Sequence, residues 1–257
     1  MTEPVKFEYG YVGRIGIGTP QANPTVEAEF AILLPRACSL HVTRMTSPAD
    51  APGQRLKDYL TGLESYLSAF DTLRPDVFGF ACTGSSYLLG AEAERAIIES
   101  AAARYGYPIE TAAGAIIWGL ERLAAKRIAA IVPYPEFVVD AARRYWSAAG
   151  IEVHHIERIA SRNADTRGIY ELQSEQVVAA LRCLSLDGVD AVLVTGTGMP
   201  SLAALRESLA SVPVLSSNSC LAARLLDLNG RSDWLESGSP AIRGWQQRFD
   251  ESRRLSP

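Results

Sequence analysis

Short apolar runs that end in glycine or proline alternate along the chain with longer amphipathic segments. The runs YVGRIGIGTP at 11–20 and DVFGFA at 76–81 have the length and composition of buried strands. Between 51 and 73, apolar side chains recur at i, i+3, i+4 and i+7, which predicts one helix with a single buried face that ends before Pro75. A second helix is predicted over 87–105. Because strands and helices alternate to the end of the chain, we expect an α/β fold with parallel sheets.

Three segments of the chain recur in the same order at a nearly constant offset. The matched pairs are GRIGIGTP at 13–20 with KRIAAIVP at 126–133, DVFGFACTGSS at 76–86 with DAVLVTGTGMP at 190–200, and PIETAA at 108–113 with PVLSSN at 213–218. Such collinear matches indicate an internal duplication. We therefore expect two pseudo-symmetric parallel-sheet α/β domains, the first formed by 1–113 plus 219–257 and the second by 114–218.

The duplication predicts where a site should lie. Ligands bind at the carboxyl ends of parallel strands, so the two corresponding strand-end loops should face each other across a cleft between the domains. These loops read CTGS at 82–85 and GTGM at 196–199. Small residues let several backbone amides point toward one spot, and such a nest binds a carboxylate or a developing oxyanion. Gly-Thr-Gly is equally typical of a plain tight turn.

Cys82 is the main candidate for chemistry. It directly follows a buried strand at a turn into a helix, where the helix amino terminus is expected to lower the pKa of a thiol. The alternative is a small buried hydrophobic residue, and we interpret Cys38, Cys183 and Cys220 in that way. Asn23 and Tyr134 follow the first strand of each half and could hydrogen-bond a substrate carboxylate. Alternatively, Asn23 before a proline is a common turn residue, and Tyr134 between Pro133 and Pro135 serves rigid packing.

Composition excludes several classes of protein. The 257 residues are 47% apolar and 21% charged, which is typical of a globular chain rather than a disordered one. Apolar runs are shorter than the roughly 18 residues of a membrane span, and the amino terminus lacks a secretory apolar region, so we expect a cytoplasmic protein without membrane contact. The formal net charge of −4 and the absence of a basic stripe argue against nucleic acid as a partner. Neither a metal-ligand spacing nor a dinucleotide-binding GxGxxG is present.

The chain resembles the aspartate/glutamate racemase superfamily, in its maleate cis-trans isomerase and arylmalonate decarboxylase branch. The resemblance covers about 10–230 and rests on P-x-A-N-x-x-x-E at 20–27, A-C-T at 81–83, V-P-Y at 132–134, Asn163, and G-x-G-M-P-S-L at 196–202. It implies an enzyme without cofactor or metal, with an active site between two duplicated domains, acting on a small anionic carboxylate, and a homo-oligomer.

The resemblance also implies roles for particular residues. It makes Cys82, Tyr134 and Thr197 the candidate catalytic residues. It implies that substrate is bound by Asn23, Thr83, Gly84, Ser85, Asn163, Gly196 and Gly198. Racemases and maleate isomerases of this kind carry a second cysteine at the position of Gly196, whereas arylmalonate decarboxylases keep a single thiol in the second half, the mirror image of this chain. A threonine hydroxyl at 197 is too weakly acidic to replace a thiol as an acid or base near pH 7.

Three hypotheses follow for the activity. The leading one is a cofactor-independent isomerase of a small dicarboxylic acid in which the Cys82 thiolate is the nucleophile. The second is a decarboxylase of the arylmalonate type, or a one-sided proton-transfer enzyme or racemase, with Cys82 as acid or base. The third is a ligand-binding relative without catalysis.

Overall fold

Two parallel four-stranded sheets, each flanked by helices, form the framework of the protein. The computed structural model describes residues 8–161, 165–207 and 212–254. The strands of the first sheet are β1 Gly13–Pro20, β2 Cys38–Met45, β3 Val77–Phe80 and β4 Ile109–Thr111, in the order β2-β1-β3-β4. Those of the second are β5 Arg127–Val132, β6 Glu152–Arg158, β7 Ala191–Val194 and β8 Val214–Ser216, in the order β6-β5-β7-β8. The two orders are equivalent, and the predicted α/β fold is confirmed.

Helices connect the strands in both halves. The helices of the described residues are α1 Thr25–Leu33, α2 Pro52–Thr61, α3 Leu63–Ser68, α4 Thr83–Leu89, α5 Ala91–Tyr105, α6 Ala112–Arg122, α7 Glu136–Ala148, α8 Ser174–Cys183, α9 Leu202–Arg206, α10 Ser217–Leu228 and α11 Trp245–Arg254, with 3-10 turns at Thr166–Glu171 and Ser232–Trp234. None of them is long and apolar enough to cross a membrane.

The internal repeat is visible in the hydrogen bonds as well as in the strand order. Asp76 accepts a bond of 2.8 Å from the backbone N–H of Arg14, at the start of β1. Asp190 accepts a bond of the same length from the backbone N–H of Arg127, at the start of β5. The two residue pairs that the sequence repeat aligns therefore perform the same task, which is to join the first strand of each half to its neighbour.

The predicted helices differ from the observed ones in their boundaries. The segment 51–73 forms two short helices, because the chain turns at Gly62 between α2 and α3. The helix predicted over 87–105 begins earlier, at Thr83, and is divided by Gly90, whose φ of +84° favours glycine. The polar turn predicted after Cys82 is thus the first turn of α4. Periodicity identified the buried faces correctly, but it could not locate these breaks.

Helices α6 and α10 pack on each other, and α10 also contacts β3 and β4 of the first sheet. Their contact is close: a Cβ on Gly119 would lie 2.9 Å from the Cys220 sulfur. The carboxyl-terminal α11 packs on α1, where Arg248 donates to the carbonyl oxygens of Ile32 and Leu33 at 2.6 and 2.7 Å. The division into 1–113 plus 219–257 and 114–218 falls within the first turns of α6 and α10, and it stays a prediction.

Candidate active site

The strand-end turns of the two halves contact each other directly. The hydroxyl of Thr197, after β7, donates a hydrogen bond of 2.9 Å to the carbonyl oxygen of Ala81, after β3. The hydroxyl of Thr25, at the start of α1, donates a bond of 2.8 Å to the carbonyl oxygen of Gly198. These contacts hold the two turns face to face at the carboxyl ends of their strands, as the duplication predicts.

A narrow cavity lies between these turns, with about 40 Å³ of enclosed space and about 480 Å³ when the open solvent at its mouth is included. Eight of the predicted site residues line it: Asn23, Cys82, Thr83, Gly84, Tyr134, Gly196, Thr197 and Gly198. Ser85 does not line the cavity, and it contacts Cys82 from behind. Asn163 lies outside the described residues. The roles assigned to all of these residues stay predictions, since their placement shows proximity to the cavity and not function.

Cys82 is the only cysteine among the described residues that line the cavity. It precedes the first residue of α4 and is 5% exposed. Its sulfur accepts a hydrogen bond of 3.2 Å from the Ser85 hydroxyl. Burial raises the pKa of the Cys82 thiol, against the lowering effect of the Ser85 hydroxyl and of the Ser85 and Gly84 amides. The expected lowering of this pKa is therefore wrong, because desolvation outweighs the helix amino terminus.

Tyr134 reaches the cavity from the end of β5. Its hydroxyl shares a hydrogen bond of 2.5 Å with the hydroxyl of Thr83 and one of 3.3 Å with that of Thr195. The Thr195 hydroxyl in turn contacts the Tyr87 hydroxyl at 3.0 Å. Burial raises the pKa of the Tyr134 phenol, so the group is a neutral hydrogen-bond donor at neutral pH. A neutral donor can bind a carboxylate or an enediolate oxygen without adding a charge to the site.

Asn23 is 1% exposed and is fixed by its own turn. Its side-chain oxygen accepts a bond of 2.9 Å from the backbone N–H of Thr25, while its side-chain nitrogen lies 3.4 Å from the Thr197 hydroxyl. Because the oxygen is held at the start of α1, the amide nitrogen is the end of the side chain that can donate to a ligand.

Gly196 has a backbone conformation that disfavours other residues. Its φ is +119°, and a Cβ at this position would lie 2.8 Å from the Pro133 ring and 3.4 Å from the Tyr134 hydroxyl. Its amide donates to the Ser217 hydroxyl at 3.0 Å and so has an acceptor within the protein. The backbone and the packing of the second turn therefore both require a glycine at position 196.

Four residues of the cavity wall were missed by the sequence reasoning and bear on its chemistry. Arg55 and Tyr59 come from α2, and Arg167 and Tyr170 come from the 3-10 turn Thr166–Glu171. Tyr170 packs closely, since a Cβ on Gly198 would lie 2.5 Å from its ring. In the sequence, the one available signal was that Arg55 and Tyr59 are four residues apart and share a helix face. The 3-10 turn gave no signal, because it has no periodicity.

Comparison with known proteins agrees with this geometry. The family model for arylmalonate decarboxylase matches residues 74–234. This chain belongs to the arylmalonate decarboxylase family. A maleate isomerase from Nocardia farcinica is similar to it, with 30% identity over 218 residues that cover 80% of this chain and 85% of the relative. Maleate isomerase and arylmalonate decarboxylase are enzymes of isomerase and decarboxylase type, which confirms the expectation of such an enzyme.

Solved structures of the family share the fold. A cysteine-to-serine mutant of the Nocardia farcinica maleate cis-trans isomerase, bearing a covalently bound succinylcysteine intermediate, aligns with a TM-score of 0.77 and 29% identity over 91% of this chain and 98% of that one. Arylmalonate decarboxylase itself aligns with a TM-score of 0.72 and 20% identity over 93% and 99% of the two chains, which shows a common fold. Among the residues described, no group of three or more His, Cys, Asp or Glu side chains could hold a metal ion.

Proposed function

We propose that this protein is a cofactor-independent cis-trans isomerase of a small dicarboxylic acid such as maleate, with Cys82 as the nucleophile. The observation that carries the proposal is the placement of this single thiol at the start of α4, in a cavity whose opposite wall is the turn at 196–198. The covalent succinylcysteine in a cysteine-to-serine mutant of the Nocardia farcinica enzyme supports it, because there a thiol intermediate forms although one cysteine has been replaced.

The reaction needs one thiolate and no net proton transfer. The thiolate adds to C2 of the substrate and forms a sulfur–carbon bond, while the electrons of the double bond move into the C3 carboxylate as an enediolate. The C2–C3 bond is then single and rotates. The enediolate electrons re-form the double bond and expel the Cys82 thiolate, which releases the trans isomer. A succinylcysteine carries one further proton at C3, whereas this route returns directly from the unprotonated enediolate. Because no proton then enters or leaves carbon, a glycine at 196 in place of a second acid is compatible with it.

The surrounding groups suit the charges that develop. The Tyr134 hydroxyl and the amide nitrogen of Asn23 are neutral donors at the cavity wall, and each can hydrogen-bond an enediolate or carboxylate oxygen. The Ser85 hydroxyl already donates to the sulfur and would stabilise the thiolate when it leaves. Burial raises the pKa of the Cys82 thiol, so the thiolate is the minor form at neutral pH and arises by loss of the proton to solvent before the substrate is attacked.

A second candidate is decarboxylation of a substituted malonate, and one observation favours it. The raised pKa keeps the Cys82 thiol protonated, as a proton donor requires. Loss of carbon dioxide from the malonate would leave an enediolate at the same donors, and the thiol would then transfer its proton to one face of the carbanion. Solvent would return the proton to the sulfur. With glycine on the opposite wall, the product would have one configuration only.

A single experiment distinguishes the two reactions. The protein is incubated in D2O with maleate, aspartate, glutamate, methylmalonate and phenylmalonate, and each compound is followed by proton NMR. We expect maleate to become fumarate without incorporation of deuterium. Loss of a carboxylate from phenylmalonate or methylmalonate with uptake of one deuteron would instead establish the decarboxylase, and exchange at Cα of an amino acid would establish the racemase. Thermal stabilisation by the diacids without any turnover would contradict both enzyme proposals.

A further inference from the structure

A buried arginine lies in the wall of the cavity, at the start of α2. Arg55 is 3% exposed. One guanidinium nitrogen, Nη1, donates to the carbonyl oxygens of Ala49 and Asp50 at 3.4 and 3.2 Å. The other, Nη2, donates to a carboxylate oxygen of Asp165 at 2.5 Å and lies 3.5 Å from the Thr166 hydroxyl. The cation thus bridges the two halves of the protein across the cavity.

The carboxylate that faces Arg55 is shared with a second arginine. Asp165 accepts a bond of 2.9 Å from the backbone N–H of Arg167 and one of 2.7 Å from its guanidinium. Among the described residues, two arginines thus contact the same carboxylate. Arg55 and Arg167 line the cavity, whereas no aspartate or glutamate is among its described lining residues. The described wall of the cavity therefore carries cationic and no anionic side chains, which favours an anionic ligand.

Arg55 and the Cys82 thiol both lie near Tyr59. Tyr59 is one helical turn further along α2 and lines the same cavity. Burial and the nearby Cys82 thiol raise the pKa of the Tyr59 phenol to about 12, and the nearby Arg55 guanidinium acts in the opposite direction. The Tyr59 side chain is thus close to both groups. A Cβ on Gly84 would lie 3.2 Å from the Leu56 side chain, so α2 also packs onto the start of α4 beside Cys82.

We propose that Arg55 is the residue that selects a dicarboxylate, by binding the second carboxylate of the substrate in place of Asp165. This inference rests on the proposed function for the class of ligand. The planar guanidinium can form two parallel hydrogen bonds with a carboxylate, which a neutral donor cannot do. Asp165 keeps two bonds to Arg167 when it is displaced, so the exchange leaves no carboxylate unpaired.

The test compares binding of an unreactive diacid with that of its uncharged-end analogue. Affinities of succinate and of its monoamide, succinamate, are measured by calorimetry for the wild-type protein, Arg55→Met and Arg55→Lys. Arg55→Met should weaken succinate binding by roughly 10- to 100-fold, the value of a charged hydrogen bond, and should change succinamate binding by less than about threefold. Arg55→Lys should restore part of the succinate affinity, because it keeps the charge without the paired geometry.

Kinetics with maleate provide a second readout. Arg55→Met should raise KM by a similar factor while kcat falls less, because the contact to the second carboxylate is made in both the ground state and the transition state. Asp165→Asn should tighten diacid binding by a few-fold, since it removes the competing carboxylate. Arg104→Met, which removes an exposed ion pair with Glu64, is the matched control and should behave as wild type.

Equal weakening of succinate and succinamate by Arg55→Met would show a purely structural bridge and would overturn the inference. Weaker diacid binding in Asp165→Asn would overturn the exchange. The proposed function can fail independently: a wild-type protein that prefers succinate to succinamate but leaves maleate unchanged would sustain the role of Arg55 and refute the isomerase. Maleate turnover by a wild-type protein that binds succinate and succinamate equally well would sustain the isomerase and refute the role of Arg55.

Discussion

The turn after β3 and the turn after β7 occupy equivalent places in two equivalent sheets, yet they differ in chemistry. The first presents the Cys82 thiol at the start of α4. The second presents Gly196 with a φ of +119°, and the Pro133 ring fills the space that a side chain would need. The two halves thus share a framework, while a thiol is present in only one of the two turns. Two sheets with the same strand order can therefore present different side chains to one site.

Among the variants that test the difference between the two turns, the one that removes the Cys82 thiol should lose the most activity. Cys82→Ala is expected to lower kcat/KM for the accepted diacid by a factor on the order of 10³ or more, because the nucleophile or proton donor is lost. Steady-state kinetics by NMR or by ultraviolet absorbance would measure it. Cys183→Ala removes an exposed thiol from the end of α8 and should retain full activity. Full activity in Cys82→Ala would mean that the two turns are not chemically different.

Removal of the Tyr134 hydroxyl tests what the second half still contributes. Tyr134→Phe should reduce kcat/KM by about 10²-fold, the typical loss for one donor to a developing oxyanion. The matched control is Tyr105→Phe, whose hydroxyl donates to the Glu64 carbonyl oxygen at the surface. We expect the control to retain wild-type kinetics. An unchanged kcat/KM in Tyr134→Phe would restrict all of the chemistry to the first half.

An attempt to restore the symmetry should fail. Gly196→Cys places a side chain on a backbone with positive φ and against Pro133, which should cost about 1–3 kcal/mol of unfolding free energy and disturb Tyr134. Activity is expected to fall by roughly 10-fold or more, since small displacements of catalytic groups are costly. Gly196→Ala is the control that separates the strain of any side chain at this position from the effect of the thiol. It should produce a similar loss of stability in thermal unfolding. A gain of activity in Gly196→Cys alone would show that the second turn still accepts a thiol.

The pH dependence sharpens the assignment of Cys82. Its pKa is raised above the usual thiol value, so the thiolate fraction of the free enzyme increases only in the alkaline range. For a nucleophilic thiolate, kcat/KM should rise about tenfold per pH unit until that pKa is reached. For a proton-donating thiol it should instead fall above the same pKa. Profiles measured for maleate and phenylmalonate, together with the alkylation rate of Cys82 against pH, would distinguish the two.

The smallest expected effect concerns Glu29, which joins α1 to the segment after β7 and to α10. Glu29 of α1 accepts hydrogen bonds from the backbone N–H and the hydroxyl of Ser201, and from the side-chain amide of Asn218 at 2.8 Å. Asn218 also donates to the Thr197 carbonyl oxygen at 3.1 Å. Glu29→Gln puts a donor where donors already converge and should cost about 1–3 kcal/mol in denaturant unfolding, with a change of only a few-fold in kcat/KM.

Glu29 also has a pH signature. Burial raises its pKa in the folded protein above the value of 4.5 expected when unfolded. The folded state then binds more protons between the two pKa values, so the unfolding free energy of the wild type should fall as the pH rises through that window. In Glu29→Gln this contribution should be absent. Equal pH slopes for the two proteins would assign the titration to another group.

Much of the framework could be predicted from the sequence because it depends on local patterns. Alternation of apolar runs with amphipathic segments indicated parallel α/β units, and the aligned pairs Arg14 with Arg127 and Asp76 with Asp190 indicated the duplication. Cys82 was recognised because a polar strand-end turn into a helix is a local feature. The breaks at Gly62 and Gly90 were missed, because a glycine inside an amphipathic pattern alters the backbone without altering the periodicity.

Only the tertiary structure decided the properties that depend on distant segments. The pKa of Cys82 is raised by its burial in the folded protein, which no neighbour in sequence reveals, and so the expected lowering was wrong. Arg55 and Asp165 are far apart in the chain and meet only because the two halves close on each other. The sequence by itself determined the sheets, the repeat and the position of the Cys82 thiol at a strand end, since these follow from local periodicity and spacing. Desolvation and the charge balance of the cavity were decided by the packing of the halves, because both depend on which groups are excluded from water together.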